Sequence, residues 1–183
     1  MATATNTSGT VVQQLSFTEV ITAGVISTLN LPAILNDNFT YGNGTSAGNV
    51  DYIYAKSLSL AGSATTLDLT SLTDLNGGSV NFARVRELVI VNLATTAAYT
   101  VTAEPGVSNP WTTGPWGTST STTIIPTNVG ATGNYSFFRF VDRYTVGATT
   151  GAYVDGTHKT IKLDPGANTI SVYVLILGCS AVS

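Results

Sequence analysis

The sequence is poor in charge and almost free of cysteine. Its 183 residues include seven Lys or Arg and ten Asp or Glu, so that charged residues make up 9% of the chain, against roughly 25% in an ordinary soluble domain. Cys179 is the one cysteine, which excludes an internal disulfide and a zinc site built on thiolates. With a net charge of −3 and few clustered basic residues, the composition argues against nucleic-acid binding.

Long apolar runs are also missing. The longest run, residues 172–177, has six residues, far short of the ~20 that a membrane helix needs, so no membrane partner is expected. The first residues, 1–6, have neither the basic nor the apolar region of a secretory signal. We therefore expect a protein that is made in the cytoplasm and stays in the cell that makes it, unless a signal has been removed from the chain.

Hydroxyl and amide side chains take the place of charge. The chain has 31 Thr, 16 Ser and 13 Asn, and its many Thr, Val, Ile and Tyr residues favour strands. Neutral polar groups cost less to desolvate than charged groups do, and the centres of protein interfaces are depleted in charge. We therefore expect a structural protein that buries much of its surface against other chains. A monomer that merely uses Thr and Ser on its surface is the alternative.

The pattern along the chain predicts an all-β fold. Eight to ten short apolar-polar alternations are separated by Gly, Pro, Asn and Asp, which is typical of an antiparallel β-sandwich or barrel. We expect a jelly-roll-like sandwich at residues 51–183. Residues 1–50 are expected to form an N-terminal arm and an irregular extended segment, with residues 1–10 as a flexible end.

Three segments give the sharpest strand predictions. Residues 82–93 should place Val85, Glu87, Val89 and Val91 on one face, and Arg84, Arg86, Leu88 and Ile90 on the other. Residues 136–144 should place Phe138 and Phe140 on one face, and Phe137, Arg139, Val141 and Arg143 on the other. Residues 159–164 and 168–177, joined by the Pro165-Gly166 turn, are expected to pair as a hairpin whose second strand is central in its sheet.

No catalytic pattern is present, so the protein is not expected to be an enzyme, and no cofactor or metal is expected. The one histidine, His158, lies in a turn-like Asp155-Gly156-Thr157 context without a recognisable nucleophile. The chain also lacks the Gly-x-Ser-x-Gly, Walker and His-Glu-x-x-His motifs. Cys179 follows the apolar final strand and is expected to be a buried, inert thiol.

Two groups of residues are candidates for contact with a partner. Trp111 and Trp116 lie on the Pro- and Gly-rich loop 104–119, where they could anchor a partner, cover the end of their own core or, with less support, stack on carbohydrate. The second group is Arg84, Arg86, Arg139 and Arg143, which would form a basic cluster for an acidic partner if their two strands were neighbours. Solvated edge charges are the alternative for these arginines.

Two stretches of the chain carry a resemblance. They are LDLT at 67–70, LTD at 72–74 and FARVRELVIVNL at 82–93, then DGTHK at 155–159, IKL at 161–163, Asn168 and VYVLILG at 172–178. This pattern, over roughly residues 65–180, resembles small β-rich proteins encoded among the head genes of tailed phages and prophages.

The resemblance implies a virion structural protein on the capsid surface. Such a protein would be a capsid decoration or cement protein that binds the lattice of a major capsid protein as a homotrimer and stabilises the head. The first 60 residues lie outside the resemblance and could be an arm exchanged between neighbours. The alternative is a self-assembling subunit of a filament, tail tube or fibre that donates its N-terminal segment as a strand.

Overall fold

A computed structural model gives the fold of the chain. It describes residues 41–73, 77–96, 98–126, 136–142, 145, 147 and 149–181, together with the backbone of three N-terminal strands. Strands, turns and loops account for all of these residues, and none of them belongs to a helix able to cross a membrane. The predicted all-β class is confirmed.

Fifteen strands follow one another in the described residues. They are β1 (Ala2–Thr7), β2 (Gln13–Val20), β3 (Ile26–Ala33), β4 (Gly42–Asn43), β5 (Asn49–Val50), β6 (Tyr52–Ala61), β7 (Thr65–Asp68), β8 (Leu72–Thr73), β9 (Ser79–Val80), β10 (Arg84–Asn92), β11 (Val101–Pro105), β12 (Thr123–Ile125), β13 (Ser136–Val141), β14 (Thr160–Asp164) and β15 (Thr169–Cys179).

Two four-stranded antiparallel sheets form the body of the protein. Sheet A has the order β13-β10-β15-β6, and sheet B has the order β12-β11-β14-β7. Along the chain the strands alternate between the two sheets, except that β11 and β12 are neighbours in sheet B. The two longest apolar strands, β10 and β15, are central in sheet A, as their double-sided apolar pattern predicts.

The inner faces of the two sheets share one apolar core. Leu88, Ile90 and Val174 from sheet A belong to the same buried cluster as Ile161 and Leu163 from sheet B. Alternating residues of each strand enter this cluster, because successive side chains of a strand point to opposite faces. The two sheets therefore pack face to face as a sandwich.

The C-terminal strand pair differs from the prediction. Residues 159–164 and 168–177 do form the strands β14 and β15, but the two strands lie in different sheets and do not pair. The turn at Pro165-Gly166, with Gly166 at a φ of 63°, carries the chain across the sandwich from sheet B to sheet A. The hairpin prediction was wrong because a tight turn fixes a reversal of the chain and not the sheet that the next strand joins.

A β-bulge changes the faces of β10. The pairing of β10 with β15 shifts between Val85 and Glu87, so Val85 joins the inner core with Leu88 and Ile90. The prediction that Val85 shares a face with Glu87 and Val89 was therefore wrong, since one extra residue in a strand reverses the alternation beyond it. The predicted faces of β13 are confirmed, because Phe138 and Phe140 pack on the inner core and Phe137 on the outer face.

The N-terminal strands form a third sheet of order β1-β2-β3. Residues 2–7 were expected in a flexible end, but they pair in antiparallel register with β2. Pro32 lies in β3 and pairs with Gln14 of β2. β3 is an edge strand of this sheet, and edge strands tolerate proline. The predicted division of the chain after residue 50 stays a prediction.

Candidate functional site

The outer face of sheet A is apolar. Cross-strand pairing arranges it in three rows, because directly opposite residues share a face. The rows are Phe137–Val91–Tyr173–Ser57, then Arg139–Val89–Leu175–Ala55, then Val141–Glu87–Leu177–Ile53. A sheet that met water on this side would carry polar residues here. The face is therefore built to be covered.

This outer face is buried. Val89, Val91 and Leu175 are at most 8% exposed, although they do not belong to the sandwich core. Among the described residues, Tyr41 and Val50 are the members of this cluster that come from outside sheet A. The Tyr41 hydroxyl donates a hydrogen bond to Glu87, which places Tyr41 over the third row.

Tyr173 marks the other end of the buried face. Its side chain is 7% exposed, and its buried hydroxyl has no hydrogen-bond partner among the residues that the structure describes. Burial, followed by the nearby Tyr54, raises the pKa of Tyr173 well above its usual value. The first row is therefore buried as well, although it lies about 13 Å along the strand from the row that Tyr41 covers.

One ion pair lies on the same face. The Arg139 Nε donates to Glu87 Oε1 at 2.7 Å, and Tyr41 Oη donates to Glu87 Oε2 at 2.8 Å. Glu87 is only 1% exposed, so its charge needs both donors. The two arginine-bearing strands are neighbours, since β10 pairs with β13. The carboxylate that Arg139 binds is that of Glu87, in the same chain.

Arg84 and Arg86 bind the loops of their own chain. Arg84 donates to the carbonyl oxygens of Thr150, at 2.9 Å, and Gly147. Arg86 donates to the carbonyl oxygen of Thr145 at 2.6 Å. Both side chains are at most 1% exposed and bind groups of their own chain, and the partner contact through them stays a prediction. Arg143 lies outside the described residues.

The tryptophans fill the core. Trp111 is fully buried, and its Nε1 donates to the Tyr153 carbonyl oxygen at 2.9 Å. Its ring lies edge-on to Phe140, while Trp116 stacks on Phe138. Of the three alternatives for these side chains, the structure has them covering their own core, and contact with a partner or with a sugar stays a prediction.

The outer face of sheet B is charged, in contrast to that of sheet A. Lys162 bridges Glu104 at 2.7 Å and Asp164 at 3.3 Å, and Lys159 bridges Asp68 at 2.6 Å. Burial raises the pKa of Asp68, but the hydrogen bonds from Lys159 and Thr70 together lower it by more than burial raises it. The pKa of Asp68 therefore lies below its usual value. These partly exposed pairs are typical of a surface that stays in water.

His158 belongs to a hydrogen-bonded turn. Asp155 Oδ1 accepts hydrogen bonds from the backbone amides of Thr157, at 2.7 Å, and of His158, at 2.8 Å. The Thr157 amide, Thr157 hydroxyl and His158 lower the pKa of Asp155 to about 2. The His158 ring also packs edge-on against Tyr153. Asp155 is thus a turn-forming carboxylate, in line with the turn predicted here.

Cys179 lies at the end of β15, fully buried. Its Sγ faces the carbonyl oxygen of Asn49 at 3.3 Å, and burial, only partly opposed by Arg86, raises the pKa of the thiol. A protonated, enclosed thiol is a poor nucleophile. Within the described residues, no three His, Cys, Asp or Glu side chains are grouped so that they could hold a metal ion.

Sequence reasoning missed the outer face of sheet A as the candidate site. Its signal was present in residues 87–91 and 173–177, where both faces of the strand are apolar. Comparison of the chain with protein-family models, with curated proteins and with solved structures finds no match.

Proposed function

We propose that the protein is a virion structural protein, a capsid decoration or cement protein that binds the lattice of a major capsid protein as a homotrimer. It would act at the capsid surface and stabilise the head. The support comes from the strand order, from the distribution of charge over the two outer faces, and from the sequence resemblance to small head proteins of tailed phages.

The strand order supports assignment to the jelly rolls. Eight strands are divided between two four-stranded sheets and alternate between them except at β11 and β12, and the first and last of the eight, β6 and β15, are neighbours in sheet A. Jelly rolls have eight strands in two sheets and are frequent in capsid and lectin domains. A fold carries many functions, so this order supports a virion role by analogy.

The observation that carries the proposal is the contrast between the outer faces. Sheet B presents Asp68, Glu104 and Lys162 on its outer side, all in ion pairs, whereas the outer side of sheet A, with Val89, Val91 and Leu175, is buried within the chain. The ion-paired side suits contact with water, so a partner would bind on the opposite side, to the part of the protein that covers sheet A.

The molar mass in solution tests the proposal. Light scattering after size exclusion, from about 1 µM to about 100 µM, should give a discrete trimer of the 18.9 kDa chain that grows no further, because a closed symmetric contact saturates. A monomer at every concentration would contradict the homotrimer.

Open-ended polymers would favour the second candidate, a subunit of a filament, tail tube or fibre. The observation behind it is the ten-residue strand β6 at the edge of sheet A. A donated strand of a neighbouring copy could pair with this edge. Deletion of residues 1–15 should then abolish polymerisation, whereas a closed trimer held by other surfaces would survive the deletion.

A further inference from the structure

The N-terminal sheet has two unlike faces. The register of β1, β2 and β3 groups Ala4 with Phe17 and Leu29, and Asn6 with Leu15 and Leu31, on one face, with Glu19 and Ser27 at one end of it. The other face groups Thr3 with Thr18 and Thr28, and Thr5 with Ser16 and Asn30. A sheet of this kind is stable only if its apolar face is covered.

The segment that follows the N-terminal sheet reaches the outer face of sheet A at Tyr41. Tyr41 lies on the third row of that face, and Cα atoms of β1 come within 8 Å of those of β4, directly after Tyr41. The eight residue steps from Ala33 to Tyr41 reach at most about 28 Å. Four strands are only about 14 Å wide, so this link can bring the N-terminal sheet onto any part of the face.

The outer face of sheet A needs such a cover. Tyr41 and Val50 lie at one end of it, while Val91 and Tyr173 at the other end are as well buried. The N-terminal sheet shares no strand pairing with sheet A, so it can contact that sheet only through side chains or loops. The N-terminal sheet, with its largely apolar face, and the buried outer face of sheet A are thus separated along the chain by only eight residue steps.

We propose that the outer face of sheet A is the docking site for the N-terminal sheet of the same chain, residues 2–33, which lies on it with the face of Phe17, Leu29 and Leu31. The protein is then a three-layered sandwich. The short link favours the chain's own segment, because tethering raises its effective concentration to the millimolar range. The inference goes beyond the proposed function and does not depend on it.

Thiol labelling of the full-length chain tests the docking. Cys179 is replaced by alanine, and Val91→Cys places a single thiol in the first row. In this parent the thiol should react slowly with a maleimide, because its position is covered. Phe17→Asp, on the apolar face of β2, should speed labelling by roughly tenfold or more. The matched control Thr18→Asp, one residue along on the other face, should leave the rate unchanged.

The fluorescence of Trp111 and Trp116, which lie in the inner core, reports whether each variant keeps the sandwich. If Phe17→Asp loses that signal, the milder Phe17→Ser replaces it. Fast labelling in the parent would overturn the proposal, since the face would then be open. Equal, slow labelling in all variants would also overturn it, because the cover would not be the apolar face of the N-terminal sheet.

Mixing two chains identifies the source of the cover. The labelled Phe17→Asp chain, whose own segment is damaged, is refolded with an excess of a Val89→Asp chain, whose segment is intact. If the cover comes from the same chain, labelling stays fast. Restored protection would show that the segment comes from a second copy and would refute docking within one chain. Neither result depends on whether the protein forms trimers, so this test can fail while the proposed function stands.

Discussion

Replacing Trp111 by alanine should lower the free energy of unfolding by about 3–5 kcal/mol, the usual cost of removing a large buried aromatic side chain. The ring is fully buried and is held edge-on by Trp116 and Phe140, at centroid distances of 6.2 Å and 6.0 Å. Its Nε1 hydrogen bond to Tyr153 is lost as well. Because a whole domain is stable by only about 5–15 kcal/mol, this single change removes a large part of the stability.

Urea unfolding followed by circular dichroism measures this loss, with an unchanged slope as the sign that the same surface is exposed. The matched control is Val107→Ala on the same loop, where the side chain is 90% exposed and the change should stay within about 0.5 kcal/mol. If Trp111→Ala cost less than about 1 kcal/mol and instead weakened assembly, the indole would be a partner contact and the structural reasoning would be refuted.

A second test of the loop uses Gly114. A Cβ at this position would lie 2.7 Å from the Trp111 ring, so Gly114→Ala should force the indole to shift. The expected cost is about 1–3 kcal/mol, as for other overpacked cores, and the same urea titration measures it. An unchanged stability would mean that the ring does not lie against Gly114.

Three further predictions concern the sheets. Gly178→Ala should destabilise the protein by about 3 kcal/mol in urea titrations, because its Cβ would meet a backbone oxygen at 2.2 Å; a neutral result would contradict the pairing there. Glu87→Gln should cost about 3 kcal/mol by removing the buried carboxylate charge that Arg139 and Tyr41 bind, and a double-mutant cycle with Arg139→Gln should show coupling of about 1–3 kcal/mol; simple additivity would exclude the pair. Because the pKa values of Asp68 and Asp155 are lowered by folding, both stabilise the protein above their unfolded pKa of about 3.9, and this contribution is lost as the pH falls towards about 2. Thermal melts between pH 5 and 2 should show this loss of stability. The loss should be smaller in Asp155→Asn, which has no carboxylate to protonate at this position.

The strand segments were largely predictable from the sequence. The alternation of Phe137 to Phe140 assigns the two faces of β13 correctly, since period two is the strongest signal of a strand with two environments. The central position of β10 also follows from its apolar second half. The alternation did not reveal the bulge between Val85 and Glu87. A bulge is a change in how two strands pair, and the types of residue in one strand do not record it.

The roles of the arginines and tryptophans could not be predicted. The sequence around Arg84 and Arg86 shows only that both residues are charged. The backbone carbonyl groups that they bind lie some 60 residues further along the chain, so the local sequence does not identify them. The same holds for Trp111, whose neighbours Phe140 and Tyr153 come from distant segments. Composition suggests exposure for charged residues and loop residues, and only the tertiary contacts overturn that expectation.

The low charge of the chain acquires a structural meaning when the faces are compared. On sheet B the charges of Glu104, Lys162 and Asp164 are grouped and paired, so this side can stay in water. On the opposite side, docking of the N-terminal sheet would leave its Thr- and Ser-rich face as the outermost surface. Hydroxyl groups cost less to desolvate than charges do, and they can exchange water for hydrogen bonds to a partner. This side is therefore the one that we expect to meet the capsid, and Thr18→Lys together with Thr28→Lys should weaken that contact without affecting the fold.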